Sequence, residues 1–299
     1  TQEIMFSSSR GRLKSVPAGG AVKEESPTME QEWKITVWGV RGSMPTPSKD
    51  FLRYGGNTSC VSVECGSLLV VFDAGSGLAQ LGKRLKNSGI KRVDLFLSHL
   101  HIDHVIGLFS FRAFHDPEME IRLYGEAREG VSFRQQLETL IGPPHWPLSL
   151  KDFPARLRFC EVAPEQFIPL SDRIFVRTLQ GNHPKGSIYF RLEDDKRSMV
   201  YALDCELEET FLPQIVRFAQ GTDLIVCDAS FTAEELAQGW GHSSWQQCLA
   251  LRRACGAKLA LLTHYSDCYD DRFLQREERL ASIEDPDARF AREGMEVLL

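Results

Sequence analysis

The chain has 299 residues, 42% of them hydrophobic, with 35 Lys and Arg against 41 Asp and Glu, a net charge of −6 and a pI of about 5.8. That length carries one large domain or two small ones with a real core, and the acidic balance argues against a protein that grips long nucleic acid by bulk electrostatics. No apolar run approaches the roughly 18 residues needed to span a bilayer, and the N-terminus lacks a signal-peptide core, so no membrane partner and a cytoplasmic location are expected.

Residues 1–32 are rich in Ser, Gly, Lys and Glu without periodicity, and read as a disordered tail or linker. The domain proper is expected over 33–299. Ile35–Trp38 and Cys60–Glu64 alternate as strands, and Ser67–Phe72 is a short buried strand running into Asp73–Ala74–Gly75–Ser76–Gly77. Leu78, Ala79, Leu81 and Leu85 have helical spacing. Further strands are predicted at 93–98, 120–124, 157–162, 174–180, 186–193, 198–203, 223–228 and 258–263, and helices at 128–141, 206–220, 243–255 and 270–283. Met295–Leu299 reads as a closing strand. Many strands with helices between them indicate a layered α/β domain. The stretch Ile141–Gly142–Pro143–Pro144–His145–Trp146–Pro147 breaks the rhythm as a stiff loop (141–150), readable either as self-packed surface or as a substrate lid. The eight Cys include no C-x-x-C pair and several lie in apolar runs, so free buried thiols are expected.

The chemistry concentrates in Ser98–His99–Leu100–His101–Ile102–Asp103–His104, where three of the eight His fall within six positions after the apolar run Val93–Leu97. Elsewhere a pattern repeats: an apolar strand ends and a potential metal ligand follows. Val200–Leu203 precedes Asp204, Leu259–Thr263 precedes His264, and Val176–Leu179 leads to His183. Strand ends suit ligands, because the sheet fixes their position while the loop frees the side chain. A lone buried His is more often a hydrogen-bonded core residue, and His183 or His264 alone would carry no weight; the clustered signature changes that. His99, His101 and His183 suit one ion, Asp103, His104 and His264 a second, with Asp204 bridging. Imidazole with carboxylate suits two divalent ions, zinc first and manganese or iron as alternatives. His115 and His145 have no such context and read as surface or loop residues.

His99-x-His101-x-Asp103-His104 followed by His183, Asp204 and His264 resembles the metallo-β-lactamase superfamily over residues 34–299. The resemblance implies an αββα sandwich with the metal site at one edge of the two sheets. Asp103 in place of Cys, and a bridging Asp204, are unlike true β-lactamases. Gly39–Val40–Arg41–Gly42–Ser43–Met44–Pro45, Tyr54–Cys60 and Gly241–His242–Ser243–Ser244 resemble ribonuclease Z and the related cyclic-nucleotide phosphodiesterases. The likeness implies that His242 assists at a scissile phosphate, that Asp73 orients a ligand His through its second ring nitrogen, and that the protein forms a homodimer. Ser243 or Ser244 is expected to cap the helix from 243, Asn57 and Thr58 to shape the turn beneath the site, and Ser243 and Trp146 to contact substrate. No long Gly/Pro-rich insertion like the tRNA-gripping arm of ribonuclease Z is present. The expectation is therefore a dinuclear phosphodiesterase whose bridging hydroxide attacks a small phosphodiester such as a cyclic nucleotide, with Asp103 and His242 catalytic. A ribonuclease, a lactonase or a non-catalytic nucleotide-binding module are the alternatives.

Overall fold

The computed structural model describes residues 32–299; the expected tail or linker, Glu32 apart, lies outside the described residues. Two mixed sheets are formed. Strands β1 (Trp33–Gly39), β2 (Cys60–Cys65), β3 (Leu68–Phe72), β4 (Arg92–Phe96), β5 (Glu120–Glu126) and β6 (Arg156–Val162) build the first. Strands β7 (Phe167–Pro169), β8 (Phe175–Gly181), β9 (Ser187–Glu193), β10 (Ser198–Ala202), β11 (Leu224–Asp228), β12 (Leu259–Thr263) and β13 (Ala288–Phe290) build the second, and β14 (Glu296–Leu298) returns to the first. The orders are β14-β1-β2-β3-β4-β5-β6 and β13-β12-β11-β10-β9-β8-β7. Each sheet is half parallel and half antiparallel, the parallel halves being β3 to β6 and β10 to β13.

Strand β3 shows why the layers stack. It is buried throughout, so its alternation serves two cores rather than core and solvent. Val70 and Phe72 enter the core between the sheets, while Leu69 and Val71 pack under helices α1 (Leu78–Leu85) and α3 (Phe133–Leu140) on the outer face. Phe72 stacks on Phe190 and Tyr201 of the second sheet, with ring centroids 5.7 and 5.2 Å apart. Phe72→Ala would open this contact at a cost of about 3–5 kcal/mol. A one-turn helix α2 (Ile102–Val105) follows β4, and α4 (Leu212–Phe218), α5 (Trp245–Cys255) and α6 (Asp271–Glu284) pack against the second sheet. The architecture is the expected α/β sandwich.

Helix ends correct the predicted ranges. Ser132 accepts from the Gln135 amide, so the helix expected from 128 starts at Phe133. The helix expected over 206–220 shrinks to Leu212–Phe218, with Pro213 in its first turn. Ser244, not Ser243, caps α5, and Gly256 closes it with φ 69°. All eight Cys are free, and six of them (Cys60, Cys65, Cys205, Cys227, Cys248, Cys255) are buried. Among the described residues no helix is long and apolar enough to cross a membrane.

Candidate metal centre

Every candidate ligand stands just beyond a strand. Strand β4 leads to His99 and His101, with Asp103 and His104 on α2; β8 leads to His183, β10 to Asp204 and β12 to His264. Strands β10, β11 and β12 are parallel, and β8, two antiparallel steps from β10, runs the same way. Their C-terminal ends therefore open on one edge. Asp73, Asp204 and His264 turn that corner with left-handed φ of 59°, 51° and 64°, a conformation costing non-glycine residues of order 1–3 kcal/mol where the surroundings do not enforce it. Two glycines of the sequence motifs make room: a Cβ on Gly42 would lie 2.5 Å from the His264 ring, and one on Gly241 2.2 Å from His183 Nδ1.

Donor atoms of His99, His101 and His183 lie within 4.8 Å of one another, as do those of Asp103, His104 and His264, and those of His99, His104 and Asp204. His104 Nε2 is 2.6 Å from Asp204 Oδ2, 3.3 Å from Asp103 Oδ2 and 3.2 Å from His264 Nε2. His264 Nε2 is 3.3 Å from both Asp103 Oδ2 and Asp204 Oδ1, and His99 Nε2 is 3.5 Å from Asp204 Oδ2. Asp204 thus stands between the two sets.

Hydrogen bonds behind the cluster fix which nitrogen each ring presents. Asp73 accepts from the Ser98 amide and hydroxyl, from the Tyr201 hydroxyl and from His104 Nδ1 at 2.7 Å. With its proton on Nδ1, His104 turns the Nε2 lone pair into the cluster. Ser98, already donating to Asp73, accepts from His99 Nδ1 at 3.0 Å. The Gly241 carbonyl accepts from His183 Nδ1 at 2.9 Å. Ser230 lies 3.0 Å from His264 Nδ1, and its hydroxyl is committed to the Asp228 carboxylate and the His264 carbonyl. His104 and His264 therefore turn Nε2 toward the carboxylates of Asp103 and Asp204, His99 turns its own toward Asp204, and His183 Nε2 lies 3.3 Å from His101 Nδ1.

Such convergence of lone pairs and negative charge is unfavourable unless a cation answers it. Burial would raise the Asp204 carboxyl, yet His264, His104 and His99 hold it well below the usual range. Burial would lower His104, but Asp204, Asp73 and Asp103 outweigh it and drive it well above its ordinary value. His99, His101 and His183 are lowered, chiefly by burial. His99 Nε2 and Asp204 Oδ2 are buried without a hydrogen-bond partner. The donor set fits divalent cations of the zinc, manganese or iron type. The floor (His99, Asp103, His104, Asp204, His264) is buried, while His101 is exposed and His183 and His242 are half-buried, so the centre opens on that side.

His242 sits beside His183 and His264, ring centroids 5.3 and 5.2 Å away. Its Nδ1 is 2.7 Å from Asp228 Oδ2 and 3.3 Å from Asp204 Oδ1. Against the lowering effect of burial, Asp228 and then Asp204 push it up to about 9. Asp228 and Ser230 escaped sequence reasoning, although Ile225–Val226–Cys227–Asp228 obeys the same strand-end pattern as Ala202–Leu203–Asp204. The hydrogen bonds of Asn57 and Thr58 go elsewhere than the cluster. Asn57 bonds Glu293 and Ser76, and Thr58 exchanges bonds with Ser76, tying the loop after β1 to the turn after β3. Buried Arg41 serves a similar end, donating to the carbonyls of Gly55, Ser266 and Tyr269. One expectation is corrected. Ser243 is fully buried, donating to the Cys205 carbonyl and accepting from the Leu207 amide, so its hydroxyl is not free for substrate. Trp146 is half-buried and packs on Phe109, centroids 5.2 Å apart. His115 and His145 are exposed, away from any donor group.

Two facing sheets with a His/Asp cluster at their shared edge define a metal-dependent hydrolase. The chain belongs to the β-lactamase superfamily domain family, whose model matches residues 69–265. Ribonuclease Z of Methanosarcina acetivorans is 27% identical over 288 residues, covering 80% of this chain and 89% of that protein. The crystal structure of the metallo-β-lactamase fold protein YhfI of Bacillus subtilis superposes with a TM-score of 0.69 at 20% identity, covering 90% of this chain and 100% of that one. A diphosphatase of the PhnP family does so with 0.65 at 19% identity, covering 89% and 97%. At those identities the two structures speak for the fold.

Proposed function

We propose that this chain is a two-metal phosphodiesterase acting on a small phosphodiester, a cyclic nucleotide being the leading candidate. One observation carries the reading: a buried cluster of overlapping donor sets lies next to a half-buried imidazole, His242, backed by the buried carboxylate of Asp228, these two forming a further donor group with Asp204 and His264. His99, His101 and His183 would hold one ion, Asp103, His104 and His264 the other, and Asp204 both. Bound there, the ions acidify water and polarise the phosphoryl oxygens. Asp228 fixes the His242 proton on Nδ1 and favours the imidazolium, so Nε2–H is free to donate to an oxygen gaining charge in the transition state. Asp103, whose Oδ2 accepts from the Ser43 amide at 2.9 Å, is anchored on one side and combines ligation with acceptance of a proton. Hydrolysis of bis(p-nitrophenyl) phosphate and of 3′,5′-cyclic AMP by the manganese- or zinc-loaded protein, abolished in Asp103→Ala, is the expected result. Turnover confined to lactones would overturn it.

A ribonuclease reading draws support from the relative named Ribonuclease Z. The acidic net charge favours the small diester. Cleavage of a structured RNA at a kcat/KM above that for cyclic nucleotides would reverse the preference.

A further inference from the structure

The segment between β11 and α5 returns to the centre as Gly239–Trp240–Gly241–His242. It is pinned from beneath by Glu206, a buried residue two positions after Asp204. The Glu206 carboxylate accepts from the Gly239 amide at 2.7 Å and the Gly241 amide at 2.9 Å. Its own backbone bonds Asn182, donating to the carbonyl and accepting from the side chain, both at 2.9 Å. One residue thereby ties together the loops bearing Asp204, His183 and His242. Earlier in the same segment, the Tyr269 hydroxyl donates to Glu235. Between the two pinned glycines, which have φ of 80° and 78°, Trp240 is held 67% exposed.

A tryptophan held in water between two glycines bonded to Glu206, two residues from His242, is not there for the core. It has company: Met44, beside Ser43, is 52% exposed, and Ile102, between His101 and Asp103, is 44% exposed. Three exposed large apolar residues thus adjoin, along the chain, His242, the His101–Asp103 turn and Ser43, whose amide bonds Asp103. Such a border suits a ligand with an anionic head and a flat, apolar body. Resting on the phosphodiesterase reading, we propose that Trp240 is the specificity-determining residue of the rim, stacking on an aromatic group such as a nucleobase esterified to the phosphate, and that Glu206 is the positioning residue that holds it there.

The test compares thymidine 5′-(p-nitrophenyl phosphate) with methyl p-nitrophenyl phosphate, which share a leaving group and differ in the group that stays on phosphorus. In the metal-loaded protein, Trp240→Ala should lower the nucleoside-to-methyl ratio of kcat/KM about tenfold, through KM, and Trp240→Phe should restore most of it. An unchanged ratio in Trp240→Ala overturns the proposal. Glu206→Ala should lose the same discrimination, partly recovered in Glu206→Gln, which keeps one of the two acceptors; full discrimination in Glu206→Ala would overturn the positioning role. A second readout needs no turnover: adenosine 5′-monophosphate should quench tryptophan fluorescence in the metal-loaded wild type and not in Trp240→Phe, equal quenching in both being the adverse result. A wild type that cleaves neither ester sinks the phosphodiesterase reading alone, since the fluorescence comparison still decides the stacking.

Discussion

The floor and the rim of the metal centre are built on different principles. On the floor, imidazoles are locked by side chains that are themselves buried: His104 by Asp73, and His264 by Ser230 backed by Asp228. On the rim, His183 is locked by a backbone carbonyl, that of Gly241, and the loop supplying it depends on Glu206. The floor is thus pinned by sheets and the rim by loops. Changes to the floor should show first in metal content and stability, and changes to the rim outside its ligands His101 and His183 in rate and selectivity.

The largest effect is expected at the floor's shared ligand. Asp204→Ala should cut diesterase turnover by roughly a thousandfold or more, with metal per chain falling in elemental analysis; retention of two equivalents would remove Asp204 from its central place. His242→Ala, on the rim, should lower kcat by about a hundredfold, as for loss of a general acid, while bound metal stays constant. A fall in metal content there would erase the distinction between the regions. Asp73→Ala touches no substrate, so its loss should appear as a roughly 10- to 100-fold weaker metal affinity by competition with a chelator, with kcat at saturating metal little changed. The smallest effect on catalysis belongs to three residues that are part of neither region. Asp285 is buried against Arg252 and Arg253, which hold its carboxyl below the ordinary value although burial would raise it. A depressed carboxyl stabilises the fold above the unfolded-state pKa and loses that contribution as pH falls through the folded one. Asp285→Asn should therefore cost about 2 kcal/mol in urea unfolding at pH 7, less as the solution is acidified below about pH 4, with kcat unaltered.

Much of this was legible in the chain. Apolar runs at 93–98, 198–203, 223–228 and 258–263 mark strands found within a residue or two, because buried parallel strands leave a continuous apolar trace. What escaped has physical reasons. Strands β7 and β13 are three residues long at the edges of their sheet, and no continuous apolar run marks them as one marks β14. Helix α2 is a single turn stabilised by its place in the site. The H-x-H-x-D-H turn announced itself by density, whereas Asp228 is a single carboxylate whose meaning depends on His242, fourteen positions away and adjacent only once α5 has packed. Ser243 misled because a hydroxyl beside a catalytic-type His looks available until its partners, the backbone of Cys205 and Leu207, are visible.

The left-handed corners at Asp73, Asp204 and His264 also set limits on redesign. Asp, Asn and His, together with Gly, are the residue types that best tolerate this backbone region. An engineer altering metal preference by exchanging donors would find Asn or His admissible at these three positions. A β-branched residue would meet a second penalty from the main chain before any coordination chemistry began. Rebuilding the centre for softer metals is accordingly better attempted at His99 and His101, which lie outside that set of left-handed residues.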